Sequence, residues 1–342
     1  MHTLSEGPLL DSIGALCEAG RATSLVKRYD RNQVKGRLFR LKEWDYYLIH
    51  NERFGVALTL ADNAYMGLVS ASFLDFERAT ERTVSPMFWF PFGKTGLPAS
   101  SEEGDVAKHL KGAELSYRFE NGKRRLKAHI DHFGPDKTPF DCDILLSEEP
   151  ADSMVIATPF AEKYNAFYYN QKIIGMRAEG GVSCLGRSER FDPACSFGLL
   201  DWGRGVWTYD NTWYWGAGMG MVDGRLVGFN IGYGFGDTSA ASENMIFVDG
   251  KAHPFDRVSF NIPQVNGHDD FLSPWAFTSS DGRFEMYFEP ILDRASRTDA
   301  KLILSDQHQV FGYFSGQMEL DDGSQIELSN FLGFAEKVHN RW

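Results

Sequence analysis

A chain of 342 residues that is 43% hydrophobic and 24% charged is long enough for two packed domains or one large β domain. The formal net charge is −12 and the 35 basic residues are scattered along the chain, which argues against nucleic acid and anionic membrane surfaces as partners. No apolar run of about 20 residues occurs, and Met1 to Gly20 is broken by Glu6, Pro8, Asp11 and Glu18, so no membrane insertion is expected and the expected location is cytoplasmic.

Taken in order, Leu9 to Gly20 reads as a short helix stopped by glycine. Strand patterns follow at Trp44 to Ile49, Val56 to Leu60 and Met66 to Phe76. Ser85 to Asp105 reads as loop, with Phe88, Trp89, Phe90 and Phe92 covering a core edge. Asn121-Gly122 marks a hairpin, and Asp223-Gly224, Asp249-Gly250, Asp281-Gly282 and Asp322-Gly323 each sit between strand-like runs. So many tight turns, with 34 glycines and 14% aromatic residues, predict an antiparallel all-β architecture. Ser329 to Arg341 carries Phe331, Phe334, Ala335 and Val338 at helical spacing, which predicts a C-terminal helix docked on a barrel. Cys17, Cys142, Cys184 and Cys195 form no paired motif and read as free thiols.

The two halves resemble one another: landmarks recur about 160–170 residues apart, Trp44 against Trp213 and Asn121-Gly122 against Asp281-Gly282. This predicts two tandem lipocalin-like antiparallel β-barrels, residues 1–187 and 188–342.

Chemistry concentrates between Asp201 and Asn244. On the strand expected at Leu226 to Phe235, Phe229, Ile231, Tyr233 and Phe235 share one face, while Asn230, Gly232, Gly234 and Gly236 leave the other nearly bare. Something must come close to that face, either another stretch of backbone or a ligand. The GYGFG run lacks a following helix and is succeeded by Asp237, so it is no phosphate-binding loop.

The blocks LDWGRGVW (200–207), WYWGAG (213–218), GFNIGYGFGDTSAASEN (228–244), SPWAF (273–277), HQVFGYFSG (308–316) and LGFAEKVHNRW (332–342) resemble a bacterial family catalogued as domain of unknown function 2804, as does FYYNQKIIGMRAEG (167–180). That family is distantly similar to the hydroxyneurosporene synthase and AttH group, a resemblance that implies tandem lipocalin-like barrels and, among relatives, hydratases and cyclases. It implies no catalytic residue, because the nearer family has no agreed activity.

Candidate acids are read from the residues themselves. Asp201 and Arg204 are read either as an interdomain clamp or with Asp201 as a general acid raised by burial, but not as both, because a close Arg204 would push that carboxyl back down. Asp237 and Glu243 form another, with Asp237 alternatively capping its own turn. Trp207, Trp213, Trp215, Tyr233 and Trp275 are expected to wall a substrate pocket, Arg204 and Asn244 to orient the acid, and His308 to donate or to be structural. His129, Asp131 and His132 converge only two ligands on a strand face, so no metal is expected. The expectation is a cofactor-independent lyase or isomerase acting on a small, largely apolar molecule, with a lipophilic-ligand binder and a carbohydrate-processing enzyme as alternatives. The oligomeric state is left open.

Overall fold

The structure, a computed structural model, describes residues 1–342, with side chains for all but Arg37 and Leu38. Two curled antiparallel sheets follow one another along the chain, giving two tandem barrels. The main path of the first runs Thr80–Val84, Met66–Asp75, Phe54–Asp62, Leu41–His50, Phe197–Val206, Lys163–Cys184, Phe140–Ser147, Lys123–Ile130, Ala113–Glu120, Val106–Leu110. The second runs Lys251–Pro254, Met245–Val248, Arg225–Tyr233, Asp210–Val222, Gln325–Arg341, Ile303–Glu319, Phe284–Ala300, Trp275–Ser279, Val258–Asn261. Tight turns set these registers. Asn121-Gly122, Asp223-Gly224 and Asp249-Gly250 all hold positive φ at both residues, the type I′ geometry whose twist suits a hairpin.

Equivalent positions along the two paths expose the duplication. The 41–50 and 210–222 strands match, as do 197–206 and 325–341, and 163–184 and 303–319. Trp44 and Trp213 are therefore true counterparts. The expected second landmark is displaced by one hairpin: Asn121-Gly122 joins the 113–120 and 123–130 strands, whereas Asp281-Gly282 lies between strands whose counterparts are 123–130 and 140–147.

Three expectations are corrected. Ser329–Arg341 is strand, part of Gln325–Arg341, because both faces are covered. Phe331 and Ala335 enter the second barrel's core, Leu332 and Phe334 pack in the other core on the opposite side, and Val338 is buried. A strand buried on both faces is apolar at nearly every position and so contains helical spacing by accident. Leu9–Gly20 forms turns and bridges instead of a helix, with the Asp11 carboxylate accepting from the Ile13 and Ala15 amides and Gly14 at φ 84°. The 197–206 strand, placed by the 187/188 division in the second unit, pairs within the first sheet, between 41–50 and 163–184.

The second barrel is not hollow. Phe229, Phe255, Phe277, Phe284, Phe288, Phe314 and Trp275 fill its interior. A separate face joins the two barrels: Phe76 meets Phe311 at 5.5 Å, Tyr168 meets Phe235 at 4.8 Å, and Tyr46 meets Trp215 at 6.0 Å. All four cysteines are free, Cys142 and Cys184 buried, Cys17 and Cys195 exposed.

Candidate active site between the barrels

Strand alternation decides which side chains reach the face between the barrels. On the 41–50 strand these are Trp44 and Tyr46; on 197–206, Asp201; on 163–184, Tyr168, Asn170 and Lys172. The second barrel contributes Trp213 and Trp215, Asn230, Gln309 and Glu336, joined by Glu243 just before the Met245–Val248 strand. The result is one lysine among three carboxylates, all four buried.

Lys172 Nζ lies 3.5 Å from Asp201 Oδ1 and 3.6 Å from Glu243 Oε2, and stands over the Trp215 ring at 4.2 Å. Asp201 is further held by the Asn170 amide at 2.6 Å and the Trp44 indole N–H at 2.9 Å. Glu336 accepts from the Trp213 indole at 3.0 Å and from the Gln309 amide at 3.1 Å. Gln309 Oε1 in turn accepts from Arg294 at 2.8 Å and Tyr46 at 3.3 Å.

Three negative charges cannot all persist beside one cation in a dry site. Burial pushes the Glu336 carboxyl up to about 7, against the Trp213 hydrogen bond and the attraction of Lys172. Burial also raises the Glu243 carboxyl, opposed by Lys172 and reinforced by Asp201. Its Oε2 has no hydrogen-bond partner among the described residues, the contact to Lys172 being an ion-pair distance only. Burial thus lifts both acids above the ordinary carboxylate range, Glu336 to about 7, with Lys172 standing between Asp201 and Glu243. Trp44 and Trp213 are the half-buried edge of this cluster, and both meet the Trp207 ring, at 5.4 and 5.7 Å.

The bare glycine face is explained here. A Cβ at Gly232 would lie 2.7 Å from Glu243 Cδ, and one at Gly228 would lie 2.7 Å from Ile174 of the first barrel. What approaches the backbone is this protein's own carboxyl group and its own partner barrel.

Of the expected site residues, the structure brings together Asp201, Glu243, Trp207, Trp213 and Trp215. Arg204 is three residues from Asp201 and so points to the opposite face, into the first barrel, where Asp45 Oδ1 takes both its Nη atoms at 3.0 Å. The expected Asp201–Arg204 pair therefore does not form. Asp237 is exposed and accepts from the Ser239 amide at 2.9 Å, which holds its carboxyl below the usual range, so it caps a turn and shares no cleft with Glu243. Tyr233 stacks on Tyr214 at 4.5 Å and Trp275 packs on Phe288 at 5.5 Å, both inside the second barrel. Asn244 bonds the Gly232 amide at 2.8 Å and the Asp256 carbonyl at 2.7 Å, fixing the backbone. His308 is stacked on Phe271 and bonded to Asp293 at 2.7 Å, on the face opposite Gln309.

Sequence reasoning passed over Lys172, Glu336, Gln309 and the chemical role of Trp44. Glu336 sits in an apolar run, FLGFAEKV, and a charge there signals a buried role once the run is read as strand.

The family model for Domain of unknown function (DUF2804) matches residues 1–342. The chain belongs to this family. Among solved structures, this DUF2804 member is similar to an AttH-like protein from Nitrosomonas europaea, at 11% identity and a TM-score of 0.54 over 92% of this chain and 98% of that one. The likeness shows the fold. Kievitone hydratase from Nectria haematococca aligns over 98% of each chain at 12% identity and a TM-score of 0.48. No curated protein matches the sequence. Among the described residues no helix is long and apolar enough to cross a membrane.

Proposed function

We propose that this DUF2804 protein is a cofactor-independent lyase or isomerase, catalysing hydration, isomerisation or cyclisation of a small, largely apolar molecule by proton transfer from a buried carboxylic acid. The observation that carries this reading is the pair of buried acids, Glu336 with its carboxyl near 7, and Glu243, beside Lys172, with an oxygen that accepts no hydrogen bond among the described residues. A general acid works best when its proton is held near the working pH, and burial does that here. Glu336 or Glu243 delivers the proton to an alkene or carbonyl. Lys172 then stabilises the carboxylate left behind, while a neighbouring carboxylate faces the positive charge on the substrate until water adds or a proton is returned to the carboxylate. The ring faces of Trp44, Trp213 and Trp215 favour developing positive charge on the substrate, and the half-buried edge formed by Trp44 and Trp213, backed by the buried Trp207, is the side from which a flat apolar molecule would enter.

The test combines native mass spectrometry of the purified protein, to find any co-purified molecule, with incubation of a metabolite extract in 18O-labelled water. The expected result is a product that carries 18O, or an isomer of unchanged mass. Glu243→Gln and Glu336→Gln should each suppress its formation while the fold is kept. A bound molecule that is never converted would assign the protein to lipophilic-ligand carriage instead.

A further inference from the structure

The first barrel holds a second polar constellation, buried at Glu43, Asp45, Arg124 and Arg204 and partly buried at Arg31 and Glu149, independent of the acids between the barrels. Arg31 pairs with Glu43 at 2.8 Å, Arg204 with Asp45 at 3.0 Å, and Arg124 with Glu149 at 2.8 Å. Each arginine also donates to a main-chain carbonyl of the segment that crosses the barrel mouth: Arg31 to Leu97 at 2.8 Å, Arg204 to Pro98 at 2.7 Å, and Arg124 to Ser101 at 2.6 Å. The Ser101 hydroxyl adds a bond to Gln171. The strap so held lies between Gly96 and Gly104, both at positive φ (81° and 87°), where glycine alone adopts the backbone without strain.

Beneath the strap is a cavity of about 20 Å³, room for about one water, lined by Asp45, Tyr47, Tyr117, Arg124, Leu200 and Trp202 together with the strap itself. Two of its lining side chains are more than nine-tenths buried and carry polar atoms without a partner among the described residues: the Tyr117 hydroxyl and the Trp202 indole nitrogen. An indole N–H can only donate, and a buried donor left unmade is costly. The three ion pairs leave the constellation electrically balanced, so a charged guest would break that balance.

We propose that the first barrel's interior beneath the 97–104 strap is a binding site for a small uncharged molecule with an oxygen acceptor, a ketone or similar carbonyl compound, which accepts from Tyr117 and Trp202. The strap lifts about its two glycines to admit it. Its polar ties are the arginine bonds to neutral carbonyls and the Ser101–Gln171 bond, which water or the guest's own oxygens can replace while the arginine–carboxylate pairs persist.

The test uses acetophenone as probe, with ethylbenzene lacking the acceptor and benzoate carrying a charge, and follows the Trp202 indole N–H by two-dimensional NMR, assigned through Trp202→Phe. Acetophenone should shift that resonance saturably, and the two controls should not. Tyr117→Phe should weaken binding about fivefold, the loss of one neutral hydrogen bond. The same variant should unfold at an unchanged or higher temperature without ligand, since it removes an unsatisfied buried hydroxyl; a structural role would lower it. Glu336→Gln, altered only between the barrels, should bind the probe as the parent does. The proposal is overturned by an indole signal that never moves, by equal affinity in Tyr117→Phe, or by a soaked crystal with only an ordered water under the strap.

Discussion

Trp44 and Trp213 occupy equivalent places in the two halves, and each donates its indole N–H to a buried carboxylate two residues before its own cross-strand partner. Trp44 pairs with Gly203 and bonds Asp201; Trp213 pairs with Val338 and bonds Glu336. The correspondence continues across the next strand, where Asp201 faces Lys172 and Glu336 faces Gln309. The same indole–carboxylate device is therefore built twice, with a cation beside one copy and an amide beside the other.

Glu336 links stability to pH. Its folded value of about 7 lies above the ordinary 4.5, so between these values the folded chain keeps a proton that the unfolded chain has released. The stability from this group is fully present below pH 4.5 and is lost as pH rises through 7, about 2.5 kcal/mol of it between pH 5 and 8. Glu336→Gln cannot ionise, so urea unfolding of the variant at the two pH values should differ from the parent by about that amount. An identical pH dependence would mean that Glu336 is ionised throughout.

Lys172 is the only cation within ion-pair distance of Asp201 and Glu243 among the described residues. Lys172→Met should cost roughly 3–5 kcal/mol at pH 8, the usual penalty for leaving buried charge uncompensated. At pH 5 the loss should shrink as Glu336 and Glu243, both raised by burial, take up protons. Denaturant melts at both values measure it, and an equal loss at both would point to packing over the Trp215 ring instead.

Trp213→Phe removes a donor that stabilises ionised Glu336. The carboxyl should then titrate above about 7, read from the carbon resonance of labelled Glu336. Trp44→Phe, whose indole serves Asp201, should leave the Glu336 midpoint nearly where it is.

Gly232→Ala brings a methyl within 2.7 Å of Glu243 Cδ and 2.9 Å of the Tyr214 carbonyl. Overpacking of this kind costs roughly 1–3 kcal/mol. Adding Glu243→Ala should recover only part of it, because the backbone contact remains. Full recovery in the double variant would show that the strand itself can give way.

The fold was legible because its signals are local. Asn121-Gly122, Asp223-Gly224 and Asp249-Gly250 each specify a turn by backbone conformation, and a duplicated tryptophan pointed to repeated halves. The last strand was misread because Phe331, Phe334, Ala335 and Val338 satisfy two periods at once when neither face meets water. Half of the site was legible for a similar reason: Glu243 before MIFV, and Asp201 between Leu200 and Trp202, are charges in apolar surroundings. Asp201 drew the wrong partner because three positions along a strand reverse the face. Lys172 escaped notice because its role depends on a cross-strand register with Asp201 that no short window of sequence contains.

The single lysine among the acids has a consequence for how such a protein can be assembled. A self-associating pair of identical barrels would place the same residue at both equivalent positions, two ammonium groups or two amides, across its symmetry axis. Within one polypeptide the two equivalent positions are free to differ, and here one holds lysine and the other glutamine. The lopsided charge at this junction is a property that a symmetric pair of identical barrels cannot possess.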